Sequence, residues 1–248
     1  MAVDTVIFLP GFMCDARLFA PQVRCLTARG YDCRVAELTD ASTIERMASR
    51  VLQQAPSQFA LVGLSMGGIV AFEIMRQAPE RVSHLALLNT TARRDAAGSA
   101  RKDQMKRVVG GDLSLVIREE LKPQYLAPQN RTPALLDLLD RMGCHLGEDT
   151  FVQQCMALTI RRDAFDVLEQ IACPTLVLAG QEDRVCPVDR HMEIASRISD
   201  AELKVLPQCG HISTLESPDR VNGALMDLLT DKRTCGGTPG VHHLRSVK

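Results

Sequence analysis

Apolar residues in this chain come in two textures. Some form short unbroken runs, and others recur every three or four positions along longer stretches. Thr5, Val6, Ile7, Phe8 and Leu9 make a run that reads as a strand, stopped by Pro10-Gly11. Phe19, Val23 and Leu26 then mark one face of a helix, and residues 32–37 return as a second strand. Thr43 stands where an N-cap belongs, ahead of a helix whose apolar face is Ile44, Met47, Ala48, Val51 and Leu52. Phe59 to Val62 read as a buried strand, Ile69 to Met75 as a helix, and residues 83–88 as another strand. Later, Pro174 leads into a strand over residues 175–179. A helix over 188–198 precedes a last strand at 202–206, and Val221, Leu225, Leu228 and Leu229 mark a final helix. Strands that alternate with helices predict an α/β fold, a mostly parallel doubly wound sheet covered on both faces.

Residues 92–171 break this rhythm. They carry helical patterns (Leu113/Val116/Ile117/Leu121, Leu135/Leu138/Leu139/Met142, Cys155/Met156/Leu158/Thr159) and no convincing strand. Lying between two core strands, they are expected to form a helical cap that folds over one edge of the sheet as a lid. The expected organisation is a core of residues 1–91 and 172–231, a cap of 92–171, and a disordered tail of 232–248. That tail contains Gly236-Gly237, Pro239-Gly240 and His242-His243. No internal repeat is visible.

Three strand ends carry residues of chemical interest. Gly63-Leu64-Ser65-Met66-Gly67-Gly68 joins a strand to a helix, and such a turn holds a serine hydroxyl away from the backbone beside helix N-terminal amides. Gly180-Gln181-Glu182-Asp183 leaves the 175–179 strand, and Gln208-Cys209-Gly210-His211 leaves the last strand. In a parallel sheet all three ends share one rim. Serine is a poor nucleophile until a base takes its proton, and that base works best when a carboxylate fixes its tautomer. Ser65, Asp183 and His211 supply the three parts, and the backbone N–H groups of Phe12 and Met66 are expected to form the oxyanion site. Other readings stay open: Ser65 as a helix cap, Asp183 as a cap with Glu182 the functional acid, His211 as a loop residue, and Pro10-Gly11 as a plain turn.

Composition narrows the functions. With 46% hydrophobic and 24% charged residues the 248-residue chain can bury a core and stay globular. Its net charge of -1 offers no footprint for nucleic acid. No apolar stretch approaches the ~20 residues that cross a bilayer, and no secretory signal is recognised at the N-terminus. The nine cysteines form no CxxC pair, which points to buried thiols in a reducing cytosol rather than to zinc or disulfides. His84, His145, His191, His242 and His243 lack metal-ligand spacing and are expected to be surface or satisfied core residues.

Together, Leu9-Pro10-Gly11-Phe12, the Ser65 turn, Gly180 to Asp183, Gly210-His211 and Glu216-Ser217-Pro218 resemble the α/β-hydrolase family up to about Asp231. Gly-Leu-Ser-Met-Gly-Gly and Pro79-Glu80-Arg81-Val82 are most similar to small bacterial carboxylesterases and 3-oxoadipate enol-lactonases. Two features depart from the family pattern. Pro10 stands where many members have histidine, and the N-terminal hairpin appears only as an absence before Thr5. The resemblance implies a serine hydrolase acting on a small ester or lactone without cofactor or metal. It leaves open a thioester, a carbon–carbon bond, acyl transfer, or a non-catalytic ligand-binding role. Serine at position 65 argues against dehalogenases and epoxide hydrolases, which need a carboxylate there. Arg161-Arg162 is a candidate for pairing with a substrate carboxylate, or a solvated helix end. Oligomeric state is not legible.

Overall fold

The computed structural model describes residues 5–94 and 98–231, so the expected disordered tail at 232–248 lies outside the described residues. Six strands form one sheet: β1 (Thr5–Leu9), β2 (Asp32–Val35), β3 (Phe59–Leu64), β4 (Val82–Leu88), β5 (Thr175–Gly180) and β6 (Ala201–Leu206). Their order is β2-β1-β3-β4-β5-β6, and each neighbouring pair is parallel. The sheet therefore starts directly at β1 with no antiparallel hairpin among the described residues. Its edge strand β2 is half exposed, with Asp32 and Arg34 outward, a charged edge that discourages pairing with another chain. The chain leaves β2 after Val35, two residues earlier than the run 32–37 suggests. Ala36 makes one last ladder bond to the Phe8 carbonyl, at 2.9 Å.

Period-two alternation sorts the strand side chains into two cores. Val6, Phe8, Ala60, Val62, Leu64, Ala86, Leu88, Leu176 and Leu178 face one way, against α1 (Ala20–Thr27) and α10 (Pro218–Leu229). Ile7, Leu9, Leu61, Leu85, Leu87 and Val177 face the other way. There they meet α2 (Ile44–Gln54), α3 (Met66–Gln77) and α9 (Val188–Ala195). Because both faces are covered, the central strands read as continuous apolar runs rather than as alternation. Thr43 caps α2 as its residue type suggests, accepting from the Arg46 amide.

Between β4 and β5 the described chain is helical: α4 (Gly98–Arg107), α5 (Leu113–Leu115), α6 (Lys122–Tyr125), α7 (Pro133–Ile160) and α8 (Phe165–Leu168). The turn Val116–Leu121 is a wide, π-helical one, and Val108–Asp112 is kinked at Gly111, whose φ is 98°. The two apolar patterns at 135–142 and 155–159 belong to the single element α7, broken at Gly147, whose φ of 81° lies in the left-handed region. This segment has no core of its own. Val108, Val116, Ile117, Phe151, Cys155 and Leu158 join one sheet-face cluster, and Tyr125, Leu126, Leu139 and Met142 join the other.

The order of the strands reverses between β1 and β3, since β2 lies to one side of β1 and β3 to the other. A crevice at the carboxyl ends of two such strands is where ligands bind in open α/β sheets. Here it lies between the turn after Leu9 and the turn at Ser65. The two turns are held by close backbone contact, for a Cβ added at Gly67 would fall onto the Leu9 carbonyl oxygen. Gly67→Ala is expected to destabilise the fold by about 3 kcal/mol through overpacking. Gly223, exposed within α10 and with open space around its Cβ position, gives the contrast. Gly223→Ala should stabilise by about 1 kcal/mol, from helix propensity alone. Urea unfolding of both variants checks the pair, and similar values for the two would refute the close-contact argument.

Candidate active site

Ser65 occupies the turn between β3 and α3 with φ 56° and ψ -115°, a conformation that a residue with a Cβ rarely adopts. Surrounding bonds enforce it. Its amide donates to the Leu88 carbonyl at 2.9 Å, and its own carbonyl accepts from the Thr90 hydroxyl at 2.8 Å. Ser65 Oγ lies 2.8 Å from His211 Nε2, and His211 Nδ1 lies 2.8 Å from Asp183 Oδ2. Three side chains far apart in sequence are thus brought into one hydrogen-bonded chain. Deprotonated Asp183 can only accept, so Nδ1 carries the imidazole hydrogen and Nε2 is left to accept from the serine hydroxyl.

Asp183 is 5% exposed, yet neither of its oxygens lacks a donor. Oδ1 accepts from the amides of Val185 and Cys186, each at 2.8 Å. Oδ2 accepts from His211 and from Asn89 Nδ2 at 3.0 Å. Burial alone would raise this carboxyl, but the positive charge available on His211 and these hydrogen bonds hold it below the usual carboxylate range. Neighbouring Glu182, the alternative acid, points elsewhere and accepts from Gln129 at 2.8 Å.

The histidine loop is braced by a second carboxylate. Glu216 accepts from the amides of Gly210 at 3.0 Å, Ile212 at 3.1 Å and Ala127 at 2.9 Å, and from Asn130 Nδ2 at 2.9 Å. The His211 amide donates to the Tyr125 carbonyl at 2.7 Å, and the Tyr125 ring lies 5.3 Å from the imidazole. The histidine is thereby fastened to the helical segment as well as to the sheet.

The Phe12 turn lies against the serine. A Cβ added at Gly11 would stand 3.3 Å from Ser65 Cβ. Met66 is the first residue of α3, where the amide has no intrahelical acceptor. The Phe12 ring packs edge-on against Phe151 at 5.2 Å, and the Arg101 guanidinium sits 5.7 Å from its centre. Arg161 and Arg162 turn away from this crevice, Arg161 donating to the Arg93 carbonyl at 2.6 Å and Arg162 pairing with Glu73 at 3.6 Å. Among the described residues no cluster of His, Cys, Asp or Glu is arranged to hold a metal ion. No disulfide is formed among the described cysteines; Cys235, like His242 and His243, lies outside the described residues.

Residues 6–224 match the family model described as the alpha/beta hydrolase family. The chain belongs to the alpha/beta hydrolase family. Among its relatives is a Caulobacter sp. (strain K31) protein named "Putative carbamate hydrolase RutD", 25% identical over 92% of this chain and 91% of that one. A thermophilic esterase from Thermogutta terrifontis, solved with malate bound, is 26% identical over 91% of this hydrolase and 89% of its own chain, with a TM-score of 0.74. The enol-lactonase of Burkholderia xenovorans LB400 shares the fold at a TM-score of 0.77, with 21% identity over 93% of each chain. Among the described residues of this alpha/beta hydrolase no helix is long and apolar enough to cross a membrane.

Sequence reasoning passed over two residues behind the crevice. Asn89 follows Leu88 directly off β4 with φ 47°, and binds both Asp183 and the Gly210 carbonyl, at 3.0 and 3.1 Å. The rule that found the other three, a polar residue just past an apolar strand, also finds this one. His191, expected to be a surface or satisfied core residue, is a core one, and its partners explain why it matters. It is fully buried, its Nε2 accepting from the Thr90 amide at 3.0 Å and its Nδ1 facing the Pro187 carbonyl at 3.2 Å. Burial pushes His191 below the ordinary imidazole range, against an opposing pull from Asp183. The folded protein therefore resists a proton that the unfolded chain accepts near pH ~6.5. Its stabilising contribution is complete above about pH 6.5 and declines as the pH falls below it. Urea midpoints should drop between about pH 7.5 and pH 5.5, and His191→Gln should flatten that dependence. An unchanged slope in the variant would exclude His191 as the group responsible.

Proposed function

We propose that this protein is a serine hydrolase that cleaves a small carboxylic ester or lactone through an acyl-serine intermediate. The observation that carries the reading is the continuous hydrogen-bonded chain from Ser65 Oγ through His211 to Asp183. In this reading His211 Nε2 takes the hydroxyl proton as Ser65 Oγ attacks the carbonyl carbon. Asp183 stabilises the imidazolium that forms. The negative charge on the carbonyl oxygen is met by the amides of Phe12 and Met66, such donors contributing about 3–4 kcal/mol each. His211 then returns the proton to the leaving alkoxide, and water repeats the cycle on the acyl-serine.

The segment between β4 and β5 acts in this reading as the cap, with Tyr125, Phe151 and Arg101 beside the crevice. No cofactor or metal takes part, and the free thiols accord with a reducing cytosol as its compartment. The substrate is a small molecule rather than a nucleic acid or a membrane lipid. The carbamate hydrolase name among its relatives supports including carbamates beside esters, lactones and thioesters when activity is surveyed.

A fluorophosphonate should label Ser65, located by mass spectrometry of the digested protein. Ser65→Ala should abolish labelling and lower turnover of p-nitrophenyl butyrate by about 10⁴-fold or more, with folding intact. A variant with near-normal turnover would remove Ser65 as nucleophile. A wild-type protein with neither labelling nor turnover would favour a ligand-binding role.

A further inference from the structure

Lys122, the first residue of α6, is 1% exposed. The described residues give its ammonium no carboxylate partner. Its Nζ instead donates to the Met13 carbonyl at 3.3 Å, lies 3.9 Å from Cys14 Sγ, and stands 4.9 Å from the centre of the Tyr125 ring. Burying an ammonium on so few partners opposes folding, and a methionine of similar length would fill the space without that cost. Stability does not account for a lysine here.

Its location offers a different account. Met13 follows Phe12, whose amide is assigned to the anion site, and Met13 holds φ 52°, a left-handed conformation unfavourable for its side chain. Both sides of this residue are held from the helical segment. Gln154 of α7, 2% exposed, accepts from the Met13 amide at 2.9 Å and donates to the Leu38 carbonyl at 2.9 Å. Lys122 takes the Met13 carbonyl. The strained turn that presents the Phe12 amide is thus clamped by two buried polar side chains contributed by the segment over the crevice. One of them is a lysine buried in a region from which water is excluded, where a positive charge acts strongly.

We infer that Lys122 is a positioning residue for the anion site: it fixes the Met13 peptide from the cap side, and its charge favours the oxyanion of the tetrahedral intermediate. The inference rests on the serine-hydrolase reading above. It requires that Lys122 matter more to the charged intermediate than to the neutral ester.

The test compares Lys122→Met, Lys122→Gln and Lys122→Arg in the full-length enzyme. The readouts are kcat and KM on p-nitrophenyl butyrate, and the inhibition constant of an alkyl trifluoromethyl ketone, whose adduct with Ser65 carries an oxyanion. Lys122→Met should lower kcat roughly 10-fold, less than the loss of a direct oxyanion donor. It should weaken the ketone in parallel and leave KM within about twofold. Lys122→Arg should recover more of both than Lys122→Gln, which keeps a donor without the charge. Unchanged kcat and ketone affinity in Lys122→Met would overturn the inference, as would equal recovery by Gln and Arg. If Lys122→Met does not fold, Lys122→Gln decides by the same ratios, and failure of both to fold would assign the residue to stability alone and overturn it. Absence of turnover or of a ketone adduct in the wild type would instead sink the serine-hydrolase reading.

Discussion

The buried carboxylate of Asp183 is the constraint around which the crevice is organised. An ionised carboxyl removed from water is tolerated when its lone pairs are filled by donors, and truncating such a network costs several kcal/mol. Its four donors come from different parts of the chain: Asn89 after β4, Val185 and Cys186 on the approach to α9, and His211 after β6. Satisfying one side chain therefore fixes the spacing of three loops. The bond to His211 then sets the imidazole tautomer, which sets the direction of the Ser65 bond. Glu216 repeats the device one shell outward, binding the histidine loop to the chain around Ala127 and Asn130.

Strain is confined to the same rim. Met13, Asp40, Ser65, Asn89 and Gln208 are the described non-glycine residues with positive φ, and every one follows the carboxyl end of a strand. Each such conformation costs on the order of 1–3 kcal/mol, least for asparagine. It persists because neighbouring bonds over-determine it: the sheet ladder reaches Ser65 and Asn89 through the carbonyls of Leu88 and Leu178. The rigid apolar sheet below lets the loops above hold unfavourable but chemically useful geometry.

The central strands were legible because a sheet covered on both faces needs unbroken apolar runs there, and the chain has them at the right spacing. Ser65, Asp183 and His211 were legible for a related reason, each being a polar residue just past such a run. Periodicity could not choose between Glu182 and Asp183, since adjacent residues differ only in direction, and the turn after Gly180 decides that. It was equally blind to the pairing of Lys122 with Met13 and of Gln154 with Met13, where 109 and 141 positions separate the partners. A buried lysine has no sequence signature apart from a surface one. The two apolar patterns at 135–142 and 155–159, which read as separate helical stretches, do lie on two helical halves that meet at a kink at Gly147.

The helical segment between β4 and β5 is more than a cover on a finished site. Its apolar side chains complete both sheet-face cores, Lys122 and Gln154 hold Met13, and the Tyr125 carbonyl accepts from the His211 amide. A lid that swung away as a rigid body would expose those cores and release the turn beside Ser65, so access to the crevice must come from smaller rearrangements. The kink at Gly111 and the wide turn Val116–Leu121 are suited to that, because π-helical turns pack less regularly than α-helical ones and recur at functional sites. The proposed serine-hydrolase reading would then couple substrate choice and transition-state stabilisation through one segment. On the proposed reading, changes in these helices would alter the rate of the chemical step as well as which molecule enters, since Lys122 and Gln154 hold the turn at Met13.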